Sequence, residues 1–254
     1  MKRILKITLK MLGSFLLFLV IWGVTITTTK NIYKVILVEE FKSRATYQED
    51  ISDASVKFYR IESDETKKAF TSDGSFVYPG TSYDILVSCE ATLFNPLVSG
   101  VVTFFAGGHA AFVNSTYRDY QIEQITENVT SIEATGLNPG ENNAEIFPND
   151  YWADEGPFTE VIGLRVKMTD SQRKEVQSLC ASYIGDPYNY SFIFNTINSS
   201  YCSDIISKSF REIGVNLNKD GFATTIYDLI CSGDCYISYY HIYKDGIKHI
   251  YYLD

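Results

Sequence analysis

The chain has 254 residues, a formal net charge of −9, and 45% hydrophobic and 15% aromatic residues. That composition supports a packed core and excludes a disordered chain. The acidic balance excludes the basic footprint that nucleic-acid binding requires, so no nucleic-acid partner is expected.

The N-terminus differs in kind from the rest. The first 30 residues hold five of the 22 basic side chains and none of the 31 acidic ones. Lys2, Arg3, Lys6 and Lys10 precede Met11–Thr29, 19 residues without a charge, and Lys30 closes the run. At 1.5 Å per residue a helix of that length spans roughly 28 Å, close to the roughly 30 Å hydrocarbon core of a bilayer. The basic cluster orients the N-terminus to the cytoplasm and the remainder outside it. A cleaved signal peptide is the rival reading. Thr25-Ile26-Thr27-Thr28 makes a poor small-x-small cleavage site, which favours an uncleaved anchor. Residues 1–30 are therefore expected to be a transmembrane anchor, 31–77 an extracytoplasmic stalk with short helical pieces, and 78–254 the folded domain. Val35–Val38 either extends the anchor helix or lies on the membrane.

Within the domain, Asp84–Ser88 reads as a short buried strand and Leu97–Phe105 as an apolar helix interrupted near Gly100. Gly107-Gly108 breaks the chain before the strand His109–Val113, which places His109, Ala111 and Val113 on one face. Tyr117–Ile125 and Ile132–Thr135 read as strands, with Gly136, Pro139 and Gly140 forming a loop. Val161–Val166 is a further strand. Thr169 or Asp170 caps a helix from Ser171 to about Ile184, which Gly185-Asp186-Pro187 stops. Thr224–Ile230 is helical, and Cys235–Tyr243 and Ile247–Leu253 are terminal strands. Strands and helices do not alternate strictly, which predicts an α+β fold with a mainly antiparallel sheet packed against helices.

The stretch with most chemical content is Ser199–Phe210. Ile205, Ile206, Phe210 and Ile213 follow helical spacing, Ser199 and Ser200 are candidate N-caps, and Gly214 follows the last apolar position. Cys202 then sits on the first turn, where the positive end of the helix dipole lowers a thiol pKa. A thiol so placed is either an activated nucleophile or a small buried core residue. Cys180 and Cys89 read as structural. Cys231 and Cys235 are close enough to pair, although CxxxC is a weak signal. Only His109, His241 and His249 exist, none with zinc-finger spacing, so neither a metal nor any other cofactor is implied. His241 and His249 read as surface strand residues. His109 is the candidate base, with small neighbours that let a substrate approach.

Cys202 in Tyr-Cys-Ser-Asp, preceded by Gly185-Asp-Pro-Tyr188, resembles the Gly-x-Pro-Tyr … Cys-Ser signature of the NlpC superfamily of papain-like cysteine hydrolases. His109 precedes the cysteine, Asp84-Ile-Leu opens the domain, and Ile-Glu133-Ala follows the histidine strand. That order resembles the circularly permuted branch, the YiiX/YaeF-like group, over Pro79 to Tyr243. The resemblance implies a permuted papain-like domain in which Cys202 is the nucleophile and His109 the general base and acid. Glu133 would be the carboxylate that orients the imidazole. It implies Tyr188 as an oxyanion contact, with Tyr201, beside the cysteine, grouped with it on the substrate side. Read from the residues alone, Glu133 is equally a solvent-facing carboxylate and Tyr188 equally a core aromatic. The sequence departs from the family pattern in having Tyr83 for Gly before Asp84, Gly108 for Ser before the histidine, and Asp204 for Glu after Cys-Ser.

The expected function is a membrane-anchored extracytoplasmic cysteine hydrolase that cleaves an amide. Its partners would be a small-molecule, peptide or lipid amide substrate (cell-wall peptide or N-acylated lipid) and the membrane through the N-terminal helix. The alternatives are acyl transfer or thioester cleavage on the same dyad, or an anchored binding protein with an idle site.

Overall fold

The structure is a computed structural model; it describes residues 2–64, 68–72, 77–91, 96–115, 130–136, 143–153, 158–191 and 199–254. The strand read at Tyr117–Ile125, Pro139 and Gly140 lie outside the described residues.

In chain order the elements are α1 (Lys2–Ser43), β1 (Thr46–Gln48), β2 (Val56–Ile61), β3 (Phe70–Ser72), β4 (Val77–Pro79), β5 (Ile85–Ser88), α2 (Pro96–Phe105), β6 (His109–Ser115), β7 (Thr130–Ala134), β8 (Ala144–Pro148), α3 (Asp150–Ala153), β9 (Glu160–Val166), α4 (Asp170–Ser182), α5 (Cys202–Glu212), α6 (Ile226–Ile230), β10 (Cys235–Lys244) and β11 (Ile247–Leu253). Among the described residues, nine strands form one sheet in the order β1-β2-β11-β10-β9-β5-β6-β7-β8, and β3 pairs with β4 apart from it. Every neighbouring pair in the large sheet is antiparallel except β11 with β2. The α+β, mainly antiparallel architecture read from the sequence is the one observed.

One face of the sheet carries the main core. Ile85, Val87, Ala110, Phe112, Ile132, Ile162 and Leu164 meet Val176 and Cys180 of α4, Ile205, Ile206 and Phe210 of α5, and Ile226, Leu229 and Ile230 of α6. The opposite face is smaller: Leu86, Ala111, Val113 and Val161 are covered by Trp152 of α3 and by Phe158. The two sets alternate along β5, β6 and β9 because successive side chains of a strand point to opposite faces.

The described residues of 31–77, expected as a stalk, pack with the rest of the fold. α1 runs unbroken past the apolar stretch to Ser43, and its inner face enters the domain with Val38 and Phe41 buried in the main core. Lys30 pairs with Asp220 and Asp228, and Lys34 with Glu160 at 2.9 Å. Two lysines that look solvent-bound in the sequence are thus matched by carboxylates almost 200 and 126 positions away. β2 then pairs in parallel with the C-terminal strand, from Lys248↔Val56 to Leu253↔Ile61.

Further differences have simple causes. α2 continues through Gly100, since a single glycine costs a helix only about 1 kcal/mol. His241, expected on the surface, is fully buried because β10 is an interior strand flanked by β9 and β11. α4 has the expected Thr169 cap, completed as a capping box by Gln172. All five cysteines, Cys231 and Cys235 included, are free thiols.

Candidate active site

The site lies where the N-terminus of α5 meets the start of β6. Tyr201, not Ser199 or Ser200, is the N-cap of α5, and it supplies no side-chain cap. Ser200 is held elsewhere, in a bridge with Tyr188. Cys202 is therefore the first helical residue, and no side-chain cap from Tyr201 closes the end of the helix. Its sulfur takes backbone N–H hydrogen bonds from Ser203 and from Ala110 of β6. The start of α5 is locked by Thr224: Ser203 Oγ donates to its carbonyl at 2.7 Å, Ser207 Oγ meets its hydroxyl at 2.7 Å, and its N–H donates to Tyr201 Oη at 2.8 Å.

His109 opens β6 directly after Gly107-Gly108. Gly107 adopts φ +82°, and a Cβ there would lie 2.7 Å from Ile226. A Cβ on Gly108 would lie 2.2 Å from the Glu90 carbonyl oxygen. The glycine that stands where the family pattern has serine is thus imposed by the close passage of the chain at Glu90.

His109 and Cys202 are hydrogen-bonded to each other. The other side of the ring is fixed by Glu133: His109 Nε2 lies 2.6 Å from Glu133 Oε2. Nε2 is thereby occupied, which leaves Nδ1 for the thiol. The register of β6 and β7, with Phe112 opposite Ile132 and Val113 opposite Ser131, puts His109, Ser131 and Glu133 on one face of the sheet.

Glu133 is buried and fully engaged. Ser131 Oγ and Trp152 Nε1 both donate to Oε1, the latter at 2.7 Å. The Trp152 ring also stacks on His109 with centroids 5.7 Å apart and planes within 12°, and Phe158 lies 6.3 Å from the same imidazole. Of its two open readings in the sequence, Glu133 is the buried partner of His109 and not a solvent-facing carboxylate. Ser131, Trp152 and Phe158 were not found from the sequence. Ser131 lay two positions before Glu133 on one strand, an alternation that points both side chains to one face. Trp152 and Phe158 gave no comparable signal.

Burial disfavours charge on both members of the dyad, and their contacts overcome it. For His109, the bonds to Cys202 and Glu133 hold the imidazole charged above its ordinary range. For Cys202, the bonds from His109, Ala110 and Ser203 bring the thiol below its ordinary range. The arrangement favours a thiolate–imidazolium pair. Cys202 is 8% exposed, and the His109 side chain is 18% exposed, so the pair sits below the surface with the imidazole edge open.

Tyr188 is half-buried and packs on the main core. Burial raises its phenol well above the ordinary value, and Cys202 is close enough to raise it further. The phenol is thereby favoured in its protonated form, within electrostatic reach of Cys202. Its ring lies where a Cβ on Gly136 would be, 2.7 Å away. Tyr201 is buried, with its hydroxyl accepting from Thr224, so its visible role is to hold the loop before α6. Asp204 is buried and pairs with Lys208 at 2.6 Å within α5. Asp84, at the domain start, is buried against Arg165 at 2.9 Å, on a strand remote in sequence.

The fold is similar to that of the metalloprotein YiiX from Escherichia coli O157:H7. That crystal structure, labelled DUF1105, matches with a TM-score of 0.45 at 13% identity, over 62% of this chain and 95% of that one. No protein-family model matches the sequence, and no curated protein matches it. Among the described residues, no group of three or more His, Cys, Asp or Glu side chains is placed to hold a metal ion.

Proposed function

We propose that the chain is a membrane-anchored cysteine hydrolase that cleaves an amide through an acyl-enzyme. The observation that carries this reading is the linear relay Cys202–His109–Glu133, with the sulfur at a helix N-terminus and the carboxylate fixed by two further donors. A structural histidine–cysteine contact has no need of that supporting chain.

In the reaction the Cys202 thiolate attacks the amide carbonyl carbon, and the carbonyl π electrons move to oxygen. The Cys202 backbone N–H and the Tyr188 hydroxyl are the donors offered to that oxyanion. As the C–N bond breaks, His109 passes its Nδ1 proton to the leaving amine and becomes a neutral base. It then takes a proton from water, whose oxygen attacks the thioester and releases the acid and the thiolate. Glu133 keeps the imidazole in one orientation and stabilises its charge throughout. An amine or alcohol in place of water makes the same residues an acyltransferase, and pocket shape decides between them.

The one helix among the described residues that is long and apolar enough to span a membrane, with large apolar side chains exposed from Met11 to Val24, supports an anchor. Thr27 is buried and Asn31 donates to Phe104 within the same unbroken helix, so cleavage at the end of the apolar run would cut into the docked segment. With the basic N-terminus in the cytoplasm, the domain lies outside it.

The test is iodoacetamide alkylation of Cys202 against pH in the full-length protein in detergent micelles. Peptide mass mapping separates it from the other four thiols. Labelling that begins well below the ordinary thiol range and depends on His109 is expected. An unshifted, His109-independent profile would leave an anchored binding protein with an idle site.

A further inference from the structure

We propose that α2 and the tip of the loop carrying Phe222 form a second membrane contact, an interfacial apolar surface that seats the site against the bilayer and directs it to amphiphilic, acyl-bearing amides. The proposal rests on the anchor reading above. α2 has no charged residue and no buried residue. Leu97, Val98, Val101 and Phe105 are 82%, 50%, 59% and 41% exposed. Their spacing makes one stripe along the helix. Such a stripe on a water-facing helix is costly unless an apolar phase covers it.

The position of α2 says which phase that is. Asn31 Nδ2 of α1 donates to the Phe104 carbonyl at the end of α2. Asn31 lies within one helical turn of the end of the apolar run Met11–Thr29, which is the depth of a membrane–water boundary if that run spans. Phe222 is 76% exposed, and its loop is tied to the same level, since its N–H donates to Asp220 and Asp220 accepts from Lys30. Along α1 and α2 charge does not interrupt the surface, and the exposed charges beside Phe222, Lys219 and Asp220, stand at the level where polar headgroups would meet them. Lys30 and Lys34 turn inward to carboxylates, while Ile32, Tyr33, Val35 and Ile36 face outward from α1. The exposed apolar surface therefore continues from the anchor past Lys30, and α2 adjoins it.

The link to the site is direct. Phe105 precedes His109 by four residues, a reach of at most about 14 Å of extended chain. The end of α2 is fastened to α6 by Ile226 N–H to the Ala106 carbonyl at 3.0 Å and by Tyr227 Oη to the Thr103 carbonyl at 2.8 Å. A substrate whose acyl chain rests in the outer leaflet beside α2 has its polar carbonyl close to the level of the dyad.

The test uses full-length protein in phosphatidylcholine vesicles whose acyl chains carry bromine near the headgroup. Trp22 of α1 reports the anchor, and Trp152, fully buried behind His109, is a constant background. In W22F/V101W, the added emission should be mostly lost to the brominated lipid and resist aqueous iodide. In W22F/F222W the same should hold, so the result does not depend on one variant folding. Iodide quenching with no bromine effect at both positions would overturn the proposal. That outcome with Trp22 quenched would leave the anchor standing and remove only the second contact. Cys202 alkylation, measured separately on the same samples, reports the dyad whichever way the lipid result falls.

Discussion

Trp152 donates its indole N–H to Glu133 Oε1 at 2.7 Å, so the carboxylate that holds His109 is itself held from behind. The same ring covers the imidazole. Trp152→Phe removes the donor and keeps an aromatic ring over His109. Losing one donor to a buried carboxylate and part of a core side chain is expected to cost about 2–4 kcal/mol in urea denaturation. The Cys202 alkylation midpoint should also move upward, because a less constrained Glu133 stabilises the imidazolium less. A stability loss with an unmoved midpoint would make Trp152 purely a core residue.

Glu133→Gln distinguishes orientation from charge. Both Ser131 and Trp152 donate to Oε1, so a glutamine must place its oxygen there and turn its amide N–H toward His109 Nε2. Nε2 then accepts, the ring proton moves to Nδ1, and a neutral imidazole faces a neutral thiol. Alkylation at neutral pH should fall by a factor on the order of 10², the scale of a lost acid–base partner, with the fold retained. A Glu133→Gln protein that labels at the parent rate would remove Glu133 from the relay.

The relay was largely legible in the sequence, and its supports were not. Cys202 on a first helical turn and His109 behind two glycines leave a local pattern, whereas Glu133 stands out only through the family resemblance and reads from the residues alone equally as a solvent-facing carboxylate. Trp152 sits in a four-residue helix with no periodicity to mark it, and only the folded arrangement of α3 over β6 and β7 reveals its partner. The segment after Lys30 reads as a stalk for a related reason. The inward face of α1 carries Lys30, Asn31 and Lys34, which look solvated until their partners arrive from residues 104, 160, 220 and 228. β2 leaves no local signal because its ladder partner is the C-terminal strand.

The pH dependence follows from the two shifts. Cys202 is lowered, so its thiolate should form below the ordinary thiol value of about 8.5, and labelling should reach a plateau there. His109 is raised, so an amidase rate that needs its proton should fall only as pH climbs through that raised value, giving a bell. For stability the signs are opposite. The raised His109 contributes stability fully present below its unfolded value of about 6.5 and lost as pH rises through the folded one. The lowered Cys202 contributes stability present above its unfolded value and lost as pH falls through the folded one. In His109→Ala, burial acts on Cys202 with its main counterweight gone, and the alkylation midpoint should rise toward or above that of a free thiol. A midpoint unchanged by the substitution would separate the two residues chemically.

Phe41→Ala tests whether the end of α1 is structural. Phe41 is 1% exposed in the main core, and truncation of such a ring costs about 3–5 kcal/mol. A stalk residue would cost well under 1 kcal/mol. Urea denaturation of the full chain in micelles, followed by near-ultraviolet circular dichroism, separates the two. The large value would also predict that removal of residues 1–43 leaves a chain that does not fold.

Gly108→Ser restores the residue of the family pattern and should fail here. The new Cβ would lie 2.2 Å from the Glu90 carbonyl oxygen and 2.8 Å from that of Ser88, both of them backbone atoms and not free to swing aside. Gly108 N–H also donates to the Ser88 carbonyl at 3.1 Å, so relief of the clash must open that turn. Overpacking of this kind costs about 1–3 kcal/mol, and the displacement falls on the residue that leads into His109. The expected protein folds with a lowered melting temperature and shows a raised Cys202 alkylation midpoint, because His109 moves away from the sulfur. Relaxation confined to the Glu90 side would lower stability and leave the midpoint in place, and the dyad would then tolerate either residue at position 108.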